Sequence, residues 1–368
     1  MDIKEIMPRR DWDNDAPTKE LATCIVKEKP LLMVGAGLSR LVGYPSWYEL
    51  MLELKDALGS EVDHDDELLI KRQYDKFAEK LLSKSKRPTD LSPFIQERFG
   101  PDKVRKRYDK IHIELIGMPF CGVVTTNYDR VLEDAAQAHL YKIMGAEANS
   151  CVPRDLCYDE HGTFIFEFMR RLVRPVDPGY REEILHLHGY YEHPRNIVLT
   201  DSDYAKRYGR LLTDGSSENM EVTRHHKVLW SLLVTHPFVF FGFSMDDPYF
   251  MRITEIIKQE FELGSSYVKT RHYAVLPLEN VEDQLEERLK SAGILPVLYE
   301  MPAEEEERHQ KGLSAFLENL RVKIIEASVP KISKEEKDLL IESKDISPVE
   351  IGDEIDAREI TSRVLKRL

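Results

Sequence analysis

Residues 31–39 read Leu-Leu-Met-Val-Gly-Ala-Gly-Leu-Ser, an apolar run that breaks into Gly-Ala-Gly and closes on a serine. A continuous apolar run this short is the pattern of a strand buried on both faces, as in a parallel sheet. The glycines at its end let the backbone turn sharply and approach another group closely, because no Cβ is in the way. Ser39 is then placed to cap a following helix, whose first amides would seat a pyrophosphate. Taken alone, the turn has two readings: a tight strand-to-helix connection, or one wall of a nucleotide site.

Further short apolar runs recur at 122–125, 184–187, 197–199, 238–241, 273–276 and 297–299, separated by helical or irregular stretches. Strands alternating with helices predict an α/β fold of the Rossmann-like, doubly wound type, with a mainly parallel sheet covered by helices on both faces. Ligands bind such sheets at the carboxyl ends of strands. Residues 1–28 read as an N-terminal segment and 29–329 as the main domain. Within it, 47–118 shows helical periodicity and no strand signal, which predicts a helical insertion over the ligand edge. Residues 140–183, with prolines at 153, 175 and 178, read as an irregular cover. Residues 330–368 are charged and sparsely apolar, a C-terminal helical tail for assembly or a flexible extension.

The composition, 42% hydrophobic and 32% charged, is that of a soluble globular protein. No apolar stretch is long enough to span a bilayer, and the charged first residues do not read as a secretory signal, so a cytoplasmic location and no membrane partner are expected. A formal charge of -14 argues against direct nucleic-acid binding. The local basic run 102–110 reads as a solvated helix face. Cys24, Cys121, Cys151 and Cys157 form no Cys-x-x-Cys pair, so no zinc or other metal site is expected.

Three other predicted strand ends carry chemistry. Thr125-Thr-Asn-Tyr-Asp129 places Asn127 and Asp129 on one side of an extended chain, suited to ribose hydroxyls, a carboxamide or a water; an Asx-turn capping the next helix explains the same residues. In Leu185-His-Leu-His-Gly189, His186 suits a core histidine and His188 a general base, since imidazole titrates near neutrality. Gly242-Phe-Ser244 again sets a glycine and a hydroxyl after an apolar run, with Asp246 and Asp247 expected to cap the helix beyond, Asp246 above all.

Together, Gly35-Ala-Gly-Leu-Ser39, Thr125-Thr-Asn-Tyr-Asp129, His188-Gly189 and Gly242-Phe-Ser244 resemble the sirtuin-like (silent-information-regulator-type) family, in the family's order and over roughly residues 29–299. Gly43-Tyr-Pro-Ser-Trp47, Ile197-Val-Leu-Thr200, Asp203-Tyr204 and Gly242-Phe-Ser-Met-Asp-Asp-Pro248 resemble the bacterial antiphage-defence branch that consumes NAD⁺. The four-cysteine zinc module of the deacetylases is missing. So are the Asp and Arg of their Gly-Ile-Pro-Asp-Phe-Arg, and their Gln-Asn-Ile-Asp is here Thr126-Asn-Tyr-Asp129.

The resemblance implies an NAD⁺ glycohydrolase acting in abortive-infection antiphage defence, with NAD⁺ as substrate. It assigns catalysis to His188, Asn127 and Asp129, and NAD⁺ binding to Gly35, Ala36, Gly37, Ser39, Trp47, Thr126, Gly242 and Ser244. It further implies control by homo-oligomerisation or by a separate partner such as a HerA-type hexameric ATPase. Two alternatives stay open, a non-catalytic NAD⁺ or ADP-ribose module and an NAD-dependent deacylase.

Overall fold

Leu31, Leu32, Met33 and Val34 are buried without exposure and form the central strand β1 (Leu31–Val34). Their side chains alternate: Leu31 and Met33 enter one hydrophobic core, Leu32 and Val34 the other. A strand that feeds two cores needs helices above and below it, which is why the run is continuously apolar. A computed structural model describes residues 14–63, 66–87, 90–145, 151–173, 183–209, 223–245, 247–262, 272–281, 283–302 and 307–328.

Six more strands complete the sheet: β2 (Gly122–Thr125), β3 (Val152–Asp155), β4 (Glu183–His186), β5 (Phe238–Phe241), β6 (His272–Pro277) and β7 (Ile294–Tyr299). All pairings are parallel, in the order β3-β4-β2-β1-β5-β6-β7. The chain leaves β1 toward β2 on one side and later fills the other side through β5, so the strand order reverses around β1. The fold is the expected Rossmann-like α/β type.

The helices are α1 (Asp15–Glu28), α2 (Ala36–Ser39), α3 (Trp47–Leu58), α4 (Glu67–Ile70), α5 (Tyr74–Ser83), α6 (Ser92–Phe99) and α7 (Lys110–Ile116), then α8 (Val131–Met144) and α9 (Thr163–Val173). They continue with α10 (Asp201–Tyr208), α11 (Arg224–Thr235), α12 (Pro248–Glu262), α13 (Asp283–Ser291) and α14 (Arg308–Ser328). Helix α1 buries Leu21, Ala22 and Ile25 in the core shared with α14. Between β1 and β2 the described residues are helical, and α3, α5 and α6 enclose a third core of Leu50, Met51, Leu54, Phe77, Leu81, Ile95 and Phe99. Tyr128 and Val131, just past β2, enter that core and fasten the helical layer over the strand ends.

Residues 197–199, expected as a strand, are not one. They leave a 3₁₀ turn at Pro194–Asn196 and run extended to Thr200, which caps α10 in a reciprocal box with Asp203. Their alternation is real: Ile197 and Leu199 enter the insertion core and Val198 the sheet core. Only the Val198 amide reaches back, to the carbonyl of His188 at 2.9 Å, because β3 already holds the edge beside β4.

The missing strand is instead β3, inside the stretch read as an irregular cover, where α9 also stands. Its sequence, Val-Pro-Arg-Asp, hides it from apolar patterning, and Val152 is exposed as befits an edge strand. The basic run at 102–110 is not a helix face either; it passes through a 3₁₀ turn before Asp109 caps α7. The tail at 330–368 lies outside the described residues.

Candidate active site at the strand ends

Three glycines join the ends of β1 and β5. Gly35 donates its amide to the carbonyl of Phe241 at 3.0 Å, and Gly37 donates to Gly242 at 2.8 Å. A Cβ on Gly35 would stand 2.6 Å from the Gly242 oxygen, and one on Gly37 2.8 Å from the same atom. Gly242 itself, at φ +61°, would bring a Cβ within 2.5 Å of the Leu38 amide nitrogen. The Gly-Ala-Gly turn is therefore set by backbone crossing backbone. The amides of Gly35, Gly37 and Leu38 are all spent inside the protein, the last on Gly35 at 3.2 Å. Ser39 caps no helix with its side chain: it closes α2, whose N-cap is Gly35, and stands before the 3₁₀ turn Arg40–Val42 without a capping bond.

Beside this crossing, Asn127 ties β2 to β1. Its Nδ2 donates to the Gly35 carbonyl at 3.1 Å and to the Ser39 hydroxyl at 2.9 Å. Both nitrogen-bound protons are thereby committed, which fixes the amide's orientation. The other end, Oδ1, is buried with no partner among the described residues. A buried acceptor without a donor costs roughly 1–3 kcal/mol. Ser39 turns its own hydroxyl proton toward Asp129. Asp129 accepts the Val131 amide at 3.0 Å, so it does form the Asx cap of α8. Burial drives its carboxyl up to about 6.

These residues line a cleft, open to solvent on one side, with Ala36, Thr126, Tyr128, Tyr44, Pro45, Ser46, Trp47, Leu50 and Phe99. One wall is polar. The other is aromatic: Trp47 stacks on Tyr74 at 6.3 Å and meets Tyr128 edge-on at 6.2 Å, while Tyr44 stacks on Phe99 at 5.9 Å. Trp47 is held there by a capping box in which Ser46 and Glu49 exchange hydrogen bonds at the start of α3. The aromatic wall was not legible as such, since Tyr44, Phe99 and Tyr128 look like ordinary core residues.

His186 supports the site from beneath. Its Nδ1 lies 2.7 Å from the Asn127 carbonyl and its Nε2 2.7 Å from Glu133. Two acceptors hold both ring protons, and the Glu133 carboxylate, outweighing burial, raises its pKa. His186 is thus a core histidine whose work is to hold Asn127.

His188 sits apart. It is buried, does not line the cavity, and burial pushes its pKa down to about 3, so the ring is neutral. Tyr204 and Tyr208 of α10 stand edge-on to it at 5.2 and 5.8 Å. Its Nδ1 has no partner among the described residues, and its Nε2 is 3.9 Å from Asp247 Oδ2. Of the two aspartates expected to cap the next helix, Asp247 does cap α12, accepting from Tyr249 at 3.0 Å and Phe250 at 2.8 Å, while Asp246 lies outside the described residues. The approach of Asp247 to His188 was not legible in the sequence.

The structure therefore brings Ala36, Ser39, Trp47, Thr126, Asn127 and Asp129 to one cavity. It leaves Gly35, Gly37 and Gly242 in the crossing behind it and His188 to one side, while Ser244 is exposed. No group of three or more His, Cys, Asp or Glu among the described residues could hold a metal ion. No described helix is long and apolar enough to cross a membrane.

Residues 122–297 match the model of the SIR2-like domain. The chain is 26% identical over 269 residues to the NAD(+) hydrolase ThsA of Bacillus cereus (strain MSX-D12), covering 73% of this chain and 47% of that protein. It is 26% identical over 246 residues to the NAD(+) hydrolase ThsA of Enterococcus faecium, covering 67% and 43%. A third relative, NAD(+) hydrolase ThsA of Acinetobacter baumannii (strain 532279), is 22% identical over 263 residues, covering 68% and 43%. The chain spans about half the length of the curated relatives it matches. On its parallel sheet, its four strand-end motifs and these matches, the chain is similar to the SIR2-like domain over residues 122–297 and to proteins named NAD(+) hydrolase.

Proposed function

We propose that this chain hydrolyses NAD⁺ at the bond between nicotinamide and ribose. The observation that carries the reading is Asn127, which lines a cavity with one polar and one aromatic side and whose buried Oδ1 has no partner among the described residues. The relatives named NAD(+) hydrolase support it. Nicotinamide leaves a cation as a neutral molecule, so the protein has mainly to hold the ribose, shield positive charge developing at C1′ and deliver water.

The aromatic wall with Trp47 suits the flat nicotinamide ring. Asn127 Oδ1 accepts the proton of the attacking water or of a ribose hydroxyl. Asp129 and Thr126 stand beside it, toward the carboxamide. The pyrophosphate falls to Ala36 and Ser39, the cavity-facing part of a turn whose other amides are spent. Gly35, Gly37 and Gly242 hold that turn in place, and Ser244 belongs to the adenosine side. His188 acts as the base that takes the water or hydroxyl proton.

Consuming NAD⁺ is toxic to a cell, and the rest of the reading follows from that. The chain acts in the cytoplasm in abortive-infection antiphage defence, restrained by assembly of copies through the tail at 330–368 or by a partner such as a HerA-type hexameric ATPase. The test is nicotinamide release from NAD⁺ by the purified chain, alone and with the product of the neighbouring gene. Release that is lost in Asn127→Ala and His188→Ala supports the reading; release unchanged in both overturns it.

The distance of His188 from the cavity wall favours a second reading, a module that binds NAD⁺ or ADP-ribose without chemistry. Calorimetric binding with no release under any condition selects that module. NAD⁺ consumption that requires stoichiometric acyl-lysine selects a deacylase.

A further inference from the structure

Behind the cavity lies a second polar group enclosed by aromatic rings. His188 follows β4, Asp247 follows β5, and α10 closes over both with Tyr204 and Tyr208. Asp247 has two unequal oxygens. Oδ1 accepts the amides of Tyr249 and Phe250, whereas Oδ2 receives, among the described residues, the Tyr204 hydroxyl alone, at 3.3 Å. That same Oδ2 faces His188 Nε2 at 3.9 Å, about 1 Å beyond a hydrogen bond. Capping a helix needs one carboxylate oxygen. A second oxygen, on a side chain only 12% exposed, that faces an imidazole whose Nδ1 has no partner among the described residues needs another explanation.

We propose that Asp247 is the positioning residue of His188: its Oδ2 takes the Nε2–H of the imidazole, fixing the tautomer that leaves Nδ1 as the base. This deepens, and rests on, the reading of His188 as base in NAD⁺ hydrolysis. In the step, the C1′–N bond breaks as its electron pair leaves with nicotinamide. Water oxygen bonds to C1′, and the water proton passes to Nδ1. The imidazolium that forms then lies against the Asp247 carboxylate, in surroundings too apolar to tolerate it otherwise. Tyr204 competes for the same oxygen. Its hydroxyl holds Oδ2 in the form seen here, and a small shift of α10 lets the carboxylate close on the ring.

The groups facing Asp247 are His188 from the end of β4, Tyr204 and Tyr208 from α10, and Tyr249 from its own helix, with Asp75 of α5 the charged neighbour. Burial raises its carboxyl to about 6. Only the ionised form supports the imidazolium, so hydrolysis falls as pH drops through about 6, and the limb disappears in Asp247→Asn.

Two measurements separate this proposal from the reading it rests on. The first needs no turnover: the ring ¹⁵N shifts of His188, assigned by their loss in His188→Gln, report the tautomer in the full chain. The Nε2–H form in the wild type, lost or inverted in Asp247→Asn and kept in Tyr204→Phe, supports the proposal. The same tautomer in wild type and Asp247→Asn overturns it. The second is kinetic: Asp247→Asn lowers kcat for nicotinamide release about 10- to 100-fold, leaves KM within about twofold and removes the acid limb. Loss of KM with the limb intact marks Asp247 as a helix cap and nothing more. If His188→Gln releases nicotinamide like the wild type, the base assignment fails whatever the tautomer shows.

Discussion

His186 Nδ1 lies 2.7 Å from the backbone oxygen of Asn127, while the side-chain amide of the same asparagine reaches 3.1 Å to Gly35. The carboxyl ends of β4, β2 and β1 are thereby joined through one residue. Among the described residues, every polar group of Asn127 except the buried Oδ1 has a partner. Preorganisation of this kind matters because a site that waits for ligand to align its groups gives up part of the binding free energy in doing so.

Asn127 variants should separate the two roles of its amide. Asn127→Ala is expected to lose about 1–3 kcal/mol of stability, since Gly35 and Ser39 lose a buried donor, and to lower nicotinamide release at least about 100-fold. Asn127→Asp keeps the shape but sets a carboxylate against the Gly35 carbonyl, so it should be the less stable of the two. Urea unfolding and an NAD⁺ hydrolysis assay check both.

Gly242→Ala should be among the most damaging small changes in the chain. The new Cβ meets the Leu38 amide nitrogen at 2.5 Å from a left-handed backbone, and that nearest contact is backbone, which cannot turn aside. Strain and overpacking together predict a loss of about 2–4 kcal/mol. Gly43→Ala, also at positive φ (+108°) but with nothing within 4 Å of the new carbon, isolates the backbone part and should cost less. Thermal unfolding of the two variants compares them directly.

Acid should weaken the fold through its buried histidines. His225, 3.4 Å from the Cys157 thiol, is pushed down to about 3 chiefly by burial, from an ordinary 6.5. In the unfolded chain it takes up a proton below about 6.5, and in the folded chain not until about 3. Its contribution is therefore complete above pH 6.5 and is lost as pH falls toward 3. Asp129 and Asp247, both raised to about 6, act in the opposite sense: the folded state binds their protons first, so their penalty eases as pH falls from 6 toward 3.8. His225→Gln should accordingly narrow its deficit in Tm relative to wild type as pH falls from 7 to 4.5. A deficit that stays constant with pH would show that His225 does not resist protonation.

Trp47 offers an optical readout of the cavity. Nicotinamide binding against the Trp47–Tyr74–Tyr128 wall should quench part of the tryptophan fluorescence, and Trp47→Phe should abolish that change while retaining most of the affinity. Quenching that persists in Trp47→Phe would place the ring elsewhere.

The strand ends were legible in the sequence because parallel strands buried on both faces have little choice of residue. Leu31–Val34 and Phe238–Phe241 are nearly pure hydrocarbon, and the polar residues after such strands stand out for that reason. Function read from glycine was less secure. Gly35 and Gly37 looked like room for a pyrophosphate, but they answer first to Gly242, a residue some 200 positions away that no local pattern connects to them. His186 and His188 share a strand face in the sequence, yet one binds Glu133 and the other faces Asp247, a difference decided by partners on other elements. Edge strand β3 escaped because its half-exposed, proline-bearing sequence follows the rules of a border, not of a core.

That border has a consequence for how copies of the chain can meet. In β3 the Leu156 amide that follows it bonds inward to His186, so alternate positions, Pro153 and Asp155, turn their backbone outward. Proline has no proton to offer there. An incoming strand would find a rung missing in a ladder only four residues long, with Arg154 drawn back onto Glu183 and the Phe164 ring. The sheet thus refuses to grow at this margin, and only its other border, β7, keeps an open edge among the described strands.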